Sequence, residues 1–314
     1  MRRCASTLAL WFATATAGAA PLFSAYKDIT VGFDKERYRI SLEDSAPRTL
    51  SLAFASGECG AEHWAGFDAQ RLADKALPSL RESGRRYIVS TGGEAGVFTC
   101  ASEAGMRAFV ERYLGPGLVG FDFDIEGRQT EAQIDDLVRE AAAAQQRWPQ
   151  LMFSFTLATH AGSDERQQGL NATGERVMQA LRRHRFDRAV VNLMVMNYGP
   201  ASARLCVLRA VGDCDMGRSG LQAARNLKQR WDVPFERIAL TAMLGENDVA
   251  GNVFSPADAA VLAAGARELG LAGVHYWSLD RDQPCGAGSE RVSSRCHGLP
   301  DVPAGSFGRL LGGR

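Results

Sequence analysis

Hydrophobic positions along this chain fall into short runs that alternate with longer, amphipathic stretches. The short runs are rich in β-branched and aromatic residues, as strands are. The longer stretches show the helical spacing of apolar residues, and two of them begin with capping residues, Ser102 and Ser255. The predicted strands are 28–33, 50–55, 86–90, 118–125, 152–157, 189–196, 237–243 and 273–278, and the predicted helices are 68–82, 102–113, 130–147, 171–184, 220–231 and 257–269.

This alternation predicts βαβ units and a parallel sheet. Eight such units in under 300 residues fit an α/β fold of the closed (β/α)8 TIM-barrel type, with an open doubly wound sheet as the alternative. No linker rich in proline, glycine or serine divides the chain, so we predict a single domain over residues 21–314. The stretch 243–273 has room for one loop and one helix, which predicts a barrel without an inserted α+β subdomain.

The first twenty residues differ from the rest of the chain. Arg2 and Arg3 precede an apolar stretch over 8–15, and small residues at 17–19 come before Pro21. This pattern is typical of a secretory signal peptide, although a buried N-terminal strand or helix is the alternative. The apolar stretch is shorter than the ~20 residues that span a bilayer. We therefore expect a leader over 1–20 and a secreted protein, extracellular or periplasmic, with no membrane span.

The charges of the chain are balanced, with 36 basic and 36 acidic residues. Without the predicted leader the balance stays close to neutral. A nucleic-acid binder would show a basic surplus, and a polybasic membrane anchor a cluster of cations. We therefore expect neither a nucleic-acid nor a membrane partner. No residue pattern indicates an oligomer, and a monomer is expected.

Six cysteines remain once the predicted leader is removed. An even number in an exported protein suggests disulfides. Short loops favour the pairs Cys206–Cys214 and Cys285–Cys296, which leaves Cys59–Cys100. A zinc site is the competing interpretation, but the chain has no CxxC pair and its five histidines are scattered. No metal and no cofactor is therefore predicted.

Three carboxylates alternate along the fourth predicted strand. Residues two apart on a strand share a face, so Asp122, Asp124 and Glu126 point one way, and Phe121, Phe123 and Ile125 point the other. In a barrel the apolar set faces the helices and the acids face inward. Glu126 comes last, at the carboxyl end of the strand, where barrel active sites lie.

Three acids in a confined interior repel one another, so at least one should keep its proton near neutral pH. A protonated carboxyl group is what a general acid requires. The acids could instead form a solvated strand face, but that suits an antiparallel edge better than a parallel barrel. A calcium loop needs small polar residues where Phe123 and Ile125 stand. A divalent metal at the strand end stays an open alternative.

Residues 119–126, VGFDFDIE, resemble the signature of glycoside hydrolase family 18, which is Asp-Gly-x-Asp-x-Asp-x-Glu. Seven of the eight positions fit, and Val119 replaces the first Asp. Three further segments agree in the right order: Ser90-Thr91-Gly92-Gly93 at the end of the third strand, Met196-Asn197-Tyr198 at the end of the sixth, and a tryptophan, Trp277, at the end of the eighth. Asn197 stands where compact bacterial chitinases often have Asp.

The resemblance implies a chitinase that cleaves β-1,4 links next to N-acetylglucosamine with retention, using the substrate's own 2-acetamido oxygen as nucleophile. Glu126 would then be the general acid and base, Asp124 would hold the acetamide N–H, and Asp122 would share a proton with Asp124. Tyr198 would donate its hydroxyl group to the acetamide oxygen. The implied substrate-binding residues are Trp277 as the floor, Met196, Asn197, Ser90, Gly92 and Gly93.

Three residues outside these motifs are also candidates for the cleft. Trp64, in the loop after the second strand, is a candidate for stacking on a sugar ring. His160 and Glu246 follow predicted strands and could line the cleft. The implied partner is chitin or a chito-oligosaccharide. An endo-β-N-acetylglucosaminidase acting on N-glycan cores and a non-catalytic chitin-binding barrel are the alternatives.

Overall fold

Eight parallel strands close into a barrel in the computed structural model, which describes residues 20–42 and 46–313. The strands are β1 (Leu22–Asp28), β2 (Thr49–Ala55), β3 (Arg86–Gly92), β4 (Leu118–Ile125), β5 (Met152–Ala158), β6 (Val190–Met194), β7 (Ile238–Met243) and β8 (Gly273–Trp277). Each strand pairs with its neighbours in sequence, and β1 pairs with β8 to close the ring. The predicted barrel is confirmed, and the open doubly wound sheet is excluded.

The helices follow the predicted pattern closely. They are α1 (Ala69–Glu82), α2 (Glu103–Tyr113), α3 (Glu131–Arg147), α4 (Ala172–Arg183), α5 (Met216–Trp231), α6 (Pro256–Leu269) and a short α7 (Ser306–Leu311). The side chain of Ser102 caps α2, and that of Ser255 caps α6 with Asp258 completing a capping box. Only one helix and a small hairpin lie between β7 and β8, so the absence of an inserted subdomain is also confirmed.

The prediction for the first strand is wrong. The barrel strand is Leu22–Asp28, whereas the predicted segment 28–33 is largely a turn. The carboxylate of Asp28 accepts hydrogen bonds from the backbone N–H and the hydroxyl group of Thr30, and Gly32 takes a φ of 68°. These contacts stop the strand, because an Asp that binds the backbone two residues on stabilises a turn.

The barrel wall separates two different environments. Phe121 and Phe123 of β4 face the helices, where they pack against Phe153 and Phe155 of β5 in a fully buried aromatic layer. The inner side chains of the same strands are polar. In the register of the sheet, Asp122 lies between a serine of β3 and a serine of β5. The alternation predicted for β4 therefore holds, and it brings the acids into the barrel.

Three disulfides link Cys59 to Cys100, Cys206 to Cys214 and Cys285 to Cys296, as predicted. Every one of these cysteines lies in a loop that follows a barrel strand. Across residues 20–42 and 46–313, no helix has both the length and the apolar character needed to cross a membrane. All but the last residue of the predicted leader lies outside the described residues.

Candidate active site

A cleft of about 1200 Å³ opens at the carboxyl ends of the strands. Five carboxylates line it, together with three aromatic side chains, several methionines and the backbone of the loop after β3. The residues that line this cleft include Tyr26, Phe54, Gly92, Glu94, Asp124, Glu126, His160, Met196, Asn197, Asp248, Trp277, Arg281, Val292, Ser293 and Ser294. Loops after strands on opposite sides of the barrel thus meet around the end of β4.

Asp122 lies deepest and is held by four hydroxyl groups. Ser154 and Thr156 donate to its Oδ1 at 2.6 and 2.7 Å, and Ser90 and Tyr26 donate to its Oδ2 at 2.7 and 2.9 Å. Burial raises the pKa of Asp122, while these donors act in the opposite direction. The hydrogen bonds favour the charged form, so Asp122 is suited to remain an acceptor inside the barrel.

Asp124 has a different environment, although it lies only two residues further along the strand. Its Oδ1 is buried without a hydrogen-bond partner, and its side chain contributes to the cleft. Burial raises its pKa well above the usual range, and the neighbouring charges of Glu126 and Asp122 raise it further. Both causes favour the protonated form of Asp124, and its unpartnered oxygen is free to meet a polar group of a ligand.

Glu126 stands at the mouth of the barrel, where it opens onto solvent in the cleft. The cleft walls still reduce its solvation, and this desolvation is the largest cause that raises its pKa to about 7. The carboxylates of Glu94 and Asp248 raise it too, and Arg128 opposes them. A carboxyl group that titrates near neutral pH can both donate and accept a proton, as a general acid and base must.

The glycine that ends β3 lets the backbone approach these acids. Gly92 has a φ of 84°, and a Cβ there would lie 2.1 Å from the backbone oxygen of Asp124. Gly92 lines the cleft. Gly93 packs against the ring of Phe54 instead, and Ser90 is fully buried against Asp122. The prediction that Ser90 and Gly93 contact substrate is therefore wrong, because both lie one layer behind the cleft.

An aromatic group forms part of the cleft surface. Trp277, which lines the cleft as predicted, stacks on Phe54 with ring centroids 5.5 Å apart and planes inclined by 19°. The ring centroid of Tyr26 lies 6.1 Å from that of Trp277, and the hydroxyl group of Tyr26 donates to Asp122. Met196 also lines the cleft. The arrangement gives a flat apolar surface beside polar groups, which is what a sugar ring needs.

The prediction for Trp64 is wrong. Its side chain is fully buried, and its indole N–H donates to the hydroxyl group of Tyr113 at 2.8 Å. That hydroxyl group in turn donates to Glu62. Trp64 therefore anchors the loop after β2 to α2 and cannot stack on a sugar.

The prediction for Tyr198 is also wrong. Asn197 takes a φ of 52°, which turns the chain so that Asn197 lines the cleft and Tyr198 is buried. The hydroxyl group of Tyr198 has no partner, and burial raises its pKa, with a further contribution from Asp258 at the start of α6. Asp258 lies outside the barrel, so this hydroxyl group points away from the acids of β4.

We expect Tyr198→Phe to keep hydrolytic activity within about three-fold of the wild type. The substitution removes a buried hydroxyl group that bonds to nothing, which costs little stability. Tyr26→Phe is the matched control, because it removes a hydroxyl group that binds Asp122, and a larger loss of activity is expected there. Steady-state rates on a short fluorogenic chito-oligosaccharide measure both. A hundred-fold loss in Tyr198→Phe would restore the predicted contact with substrate.

Asn197 and Asp248 form a hydrogen-bonded pair on one side of the cleft. The side-chain N–H of Asn197 donates to Asp248 at 2.7 Å, and its carbonyl oxygen accepts from the backbone of Val249 at 3.1 Å. The backbone N–H of Asn197 donates to Asn247 at 3.3 Å. With Tyr198 turned away, this pair is the polar group next to the acids on that side of the cleft.

Sequence reasoning missed several residues of the site. Tyr26 was outside the first predicted strand, and Phe54 and Asp248 belong to segments whose motifs did not single them out. His160 lines the cleft as predicted. Glu246 does not; it pairs with Arg291 at 3.1 Å behind the cleft. A correct first strand would have placed Tyr26 inside the barrel.

One cluster of possible metal ligands occurs in the part of the chain that the structure describes. It consists of Glu58, Cys59 and Cys100. Since the two cysteines form a disulfide, neither can supply a thiolate. This cluster therefore offers a single carboxylate and lies outside the cleft.

The chain is similar in sequence to proteins named as chitinases, although no protein-family profile matches it. It is 26% identical over 253 residues to a probable bifunctional chitinase/lysozyme of Escherichia coli, a match that covers 74% of this chain and 27% of that protein. It is 27% identical over 262 residues to endochitinase 11 of Metarhizium anisopliae, covering 75% and 48%. The chain thus spans half or less of these relatives.

Solved structures show the same barrel. The catalytic domain of a hyperthermophilic chitinase from Pyrococcus furiosus superposes with a TM-score of 0.70, with 24% identity, over 95% of this chain and 96% of that one. A Streptomyces coelicolor protein described as a putative chitinase A superposes with a TM-score of 0.51 and 15% identity. The resemblance to glycoside hydrolase family 18 is confirmed. The segment that resembles the family 18 signature ends in Glu126.

Proposed function

We propose that this chain is a chitinase, which hydrolyses β-1,4-linked N-acetylglucosamine with retention through substrate-assisted catalysis. The observation that carries the proposal is the graded environment of the acids on β4. Asp122 is bound by four hydroxyl groups, Asp124 has an unpartnered oxygen and a pKa raised by burial, and the pKa of Glu126 is about 7 at the cleft mouth. The relatives named as chitinases support the same substrate class.

Glu126 is the proton donor in this proposal. Its proton goes to the glycosidic oxygen while the bond between that oxygen and the anomeric carbon breaks. The same carboxylate then removes a proton from the attacking water, so Glu126 ends the cycle protonated. A pKa of about 7 suits both steps, because neither the acid nor the base form is strongly disfavoured near neutral pH.

The nucleophile in this proposal is the 2-acetamido oxygen of the substrate. Asp124 is buried and its pKa is raised, so its carboxylate is poorly suited to attack the anomeric carbon itself. Its unpartnered Oδ1 can instead accept the acetamide N–H, which points the acetamide oxygen at the anomeric carbon. As the oxazolinium ion forms, Asp124 shares its proton with Asp122, and its negative charge then stabilises the cation.

The cleft supplies the remaining contacts in this proposal. Trp277, supported by Phe54, forms the apolar floor under the sugar, and Met196 packs beside it. The pair of Asn197 and Asp248 takes the place that the sequence assigned to Tyr198, next to the acetamide group. Three disulfides fit an oxidising compartment, which supports secretion.

The decisive experiment is hydrolysis of fluorogenic chitobiose and chitotriose by the purified chain. We expect release of the fluorophore, with the β-anomer of the sugar as the first product in an NMR time course, because two inversions retain configuration. Release of oligomannose from a glycoprotein without action on the chitin oligomers would favour an endo-β-N-acetylglucosaminidase. Binding without turnover would favour a chitin-binding barrel.

A further inference from the structure

A disulfide-closed loop forms one wall of the cleft. Residues 285–296, here called the strap, follow β8 and are closed by Cys285–Cys296. Val292, Ser293 and Ser294 of the strap line the cleft that holds Glu126. The strap thus lines the cleft from the side of β7 and β8, whereas Glu126 enters it directly after β4.

A buried arginine fixes the strap to the barrel. The guanidinium group of Arg281 donates to the backbone oxygens of Leu244 and Glu246 at 2.8 and 2.6 Å, and also to that of Ser293 in the strap. The side chain is almost fully buried. Bonds from a cation to backbone oxygens are among the stronger hydrogen bonds of a protein. Arg281 therefore ties the strap to the loop after β7.

A second arginine fixes the strap to the same loop from outside. Arg291, within the strap, donates to the backbone oxygens of Asn247 and Asp248 at 3.2 and 3.1 Å and pairs with the carboxylate of Glu246. The backbone N–H of Glu246 also donates, at 2.9 Å, to the backbone oxygen of His297, which directly follows the strap. The strap and the segment that carries Asp248 therefore form one unit.

The surface that the strap offers to the cleft is uncharged. Val292 supplies an apolar group and the two serines supply hydroxyl groups, while the cations of Arg281 and Arg291 bind protein oxygens. Sugar rings combine apolar faces with hydroxyl groups in the same way. The cleft, at about 1200 Å³, also exceeds the ~300–1,000 Å³ of a site for one small ligand.

We propose that the strap is the element that recognises oligomer length, by holding a further N-acetylglucosamine ring against Val292, Ser293 and Ser294. This inference rests on the proposed function for its substrate class. Cys285–Cys296, Arg281 and Arg291 are positioning groups, which act by keeping the strap against the cleft. A longer oligomer gains the contact with the strap, and a dimer seated at Trp277 does not.

The test measures binding in a Glu126→Gln background, where no hydrolysis interferes. Dissociation constants for chitobiose and chitohexaose are determined by tryptophan fluorescence in three strap variants, namely Val292→Ala, Arg291→Met and the double variant Cys285→Ser with Cys296→Ser. The matched control is the double variant Cys206→Ser with Cys214→Ser, which opens another short disulfide loop whose cysteines do not line the cleft.

We expect the dissociation constant for chitohexaose to rise about five- to ten-fold in the strap variants, which corresponds to the loss of about one hydrogen bond or apolar contact. Chitobiose should change less than two-fold, and the control should match the parent for both ligands. Val292→Ala and Arg291→Met keep the disulfide, so their dissociation constants test the proposal even if the double variant fails to fold.

Three results would overturn the strap proposal: equal effects on both oligomers, no effect on either, or no binding of any oligomer by the parent. Hydrolysis by the chain with Glu126 intact is scored separately. Length-dependent binding through the strap in a chain that does not hydrolyse chitin oligomers would refute the proposed catalysis and leave the strap proposal standing. The two failures are therefore distinguishable.

Discussion

Glu126→Gln is expected to lower the hydrolysis of a fluorogenic chitotriose by about 10³-fold or more, because proton donation by a positioned carboxyl group contributes roughly 10²–10⁴-fold and the same group also activates water. Glutamine keeps the size and polarity of the side chain, and Glu126 opens onto solvent, so the fold should be unaffected. Turnover numbers and melting temperatures measure the two effects. A variant that kept a tenth of the activity would show that another group donates the proton.

The neighbouring carboxylate Glu94 provides a matched control. It is exposed in the same cleft, and its charge raises the pKa of Glu126. The wild-type rate should fall as pH rises through about 7, because Glu126 then loses its proton. Glu94→Gln removes a negative charge, so it lowers the pKa of Glu126 and moves this alkaline limb to lower pH. An unmoved limb would mean that Glu126 is not the titrating group.

The parts of the site that the sequence predicted are those governed by strand periodicity. Asp122, Asp124 and Glu126 share one face because side chains alternate along any strand. Phe123 and Ile125, which lie between these acids, require a buried outer face, so the inward direction of the acids could be predicted as well. Gly92 could be placed beside these acids because the family motif lies at the end of β3, and only a residue without a side chain fits there.

The errors concern residues whose orientation depends on loop geometry. Tyr198 lies four residues after the end of β6, and Asn197 before it takes a positive φ, so that Asn197 lines the cleft and Tyr198 is buried. Trp64 lies in a two-residue strand, and Tyr113, to which its indole N–H donates, is 49 residues away, so no local pattern indicates that Trp64 is buried. Periodicity does not extend into such loops, and a motif fixes the order of residues but not which of them faces the cleft.

Loops after β2, β3 and β8 contain disulfides that tie them to one another or close them on themselves. The cysteine arithmetic predicted these pairs, yet their effect on the site is visible only in three dimensions. The Cys285–Cys296 loop forms part of the cleft wall, whereas the Cys59–Cys100 pair joins two loops beside it. Their pairing could be predicted because loop length restricts it, and the shape of the cleft could not.

Asp124→Asn is expected to lower turnover of chitotriose about 10²-fold while the affinity for chitotetraose changes less than about three-fold. The loss reflects charge, because an amide cannot stabilise the oxazolinium cation as a carboxylate does, and preorganised electrostatic groups of this kind contribute roughly 10²–10³-fold. Binding is retained, since the neutral amide resembles the protonated carboxyl group that Asp124 presents to the incoming sugar. Turnover numbers and dissociation constants separate the two effects.

Asp122→Asn is the comparison that makes this result specific. Asp122 accepts four hydrogen bonds, so an amide N–H there would face hydroxyl donors and the melting temperature should fall clearly. Oδ1 of Asp124 has no partner to lose, so Asp124→Asn should melt close to the wild type. If Asp124→Asn lost stability and sugar binding together, Asp124 would be a structural residue. A loss of turnover alone would identify it as the group that stabilises the cation.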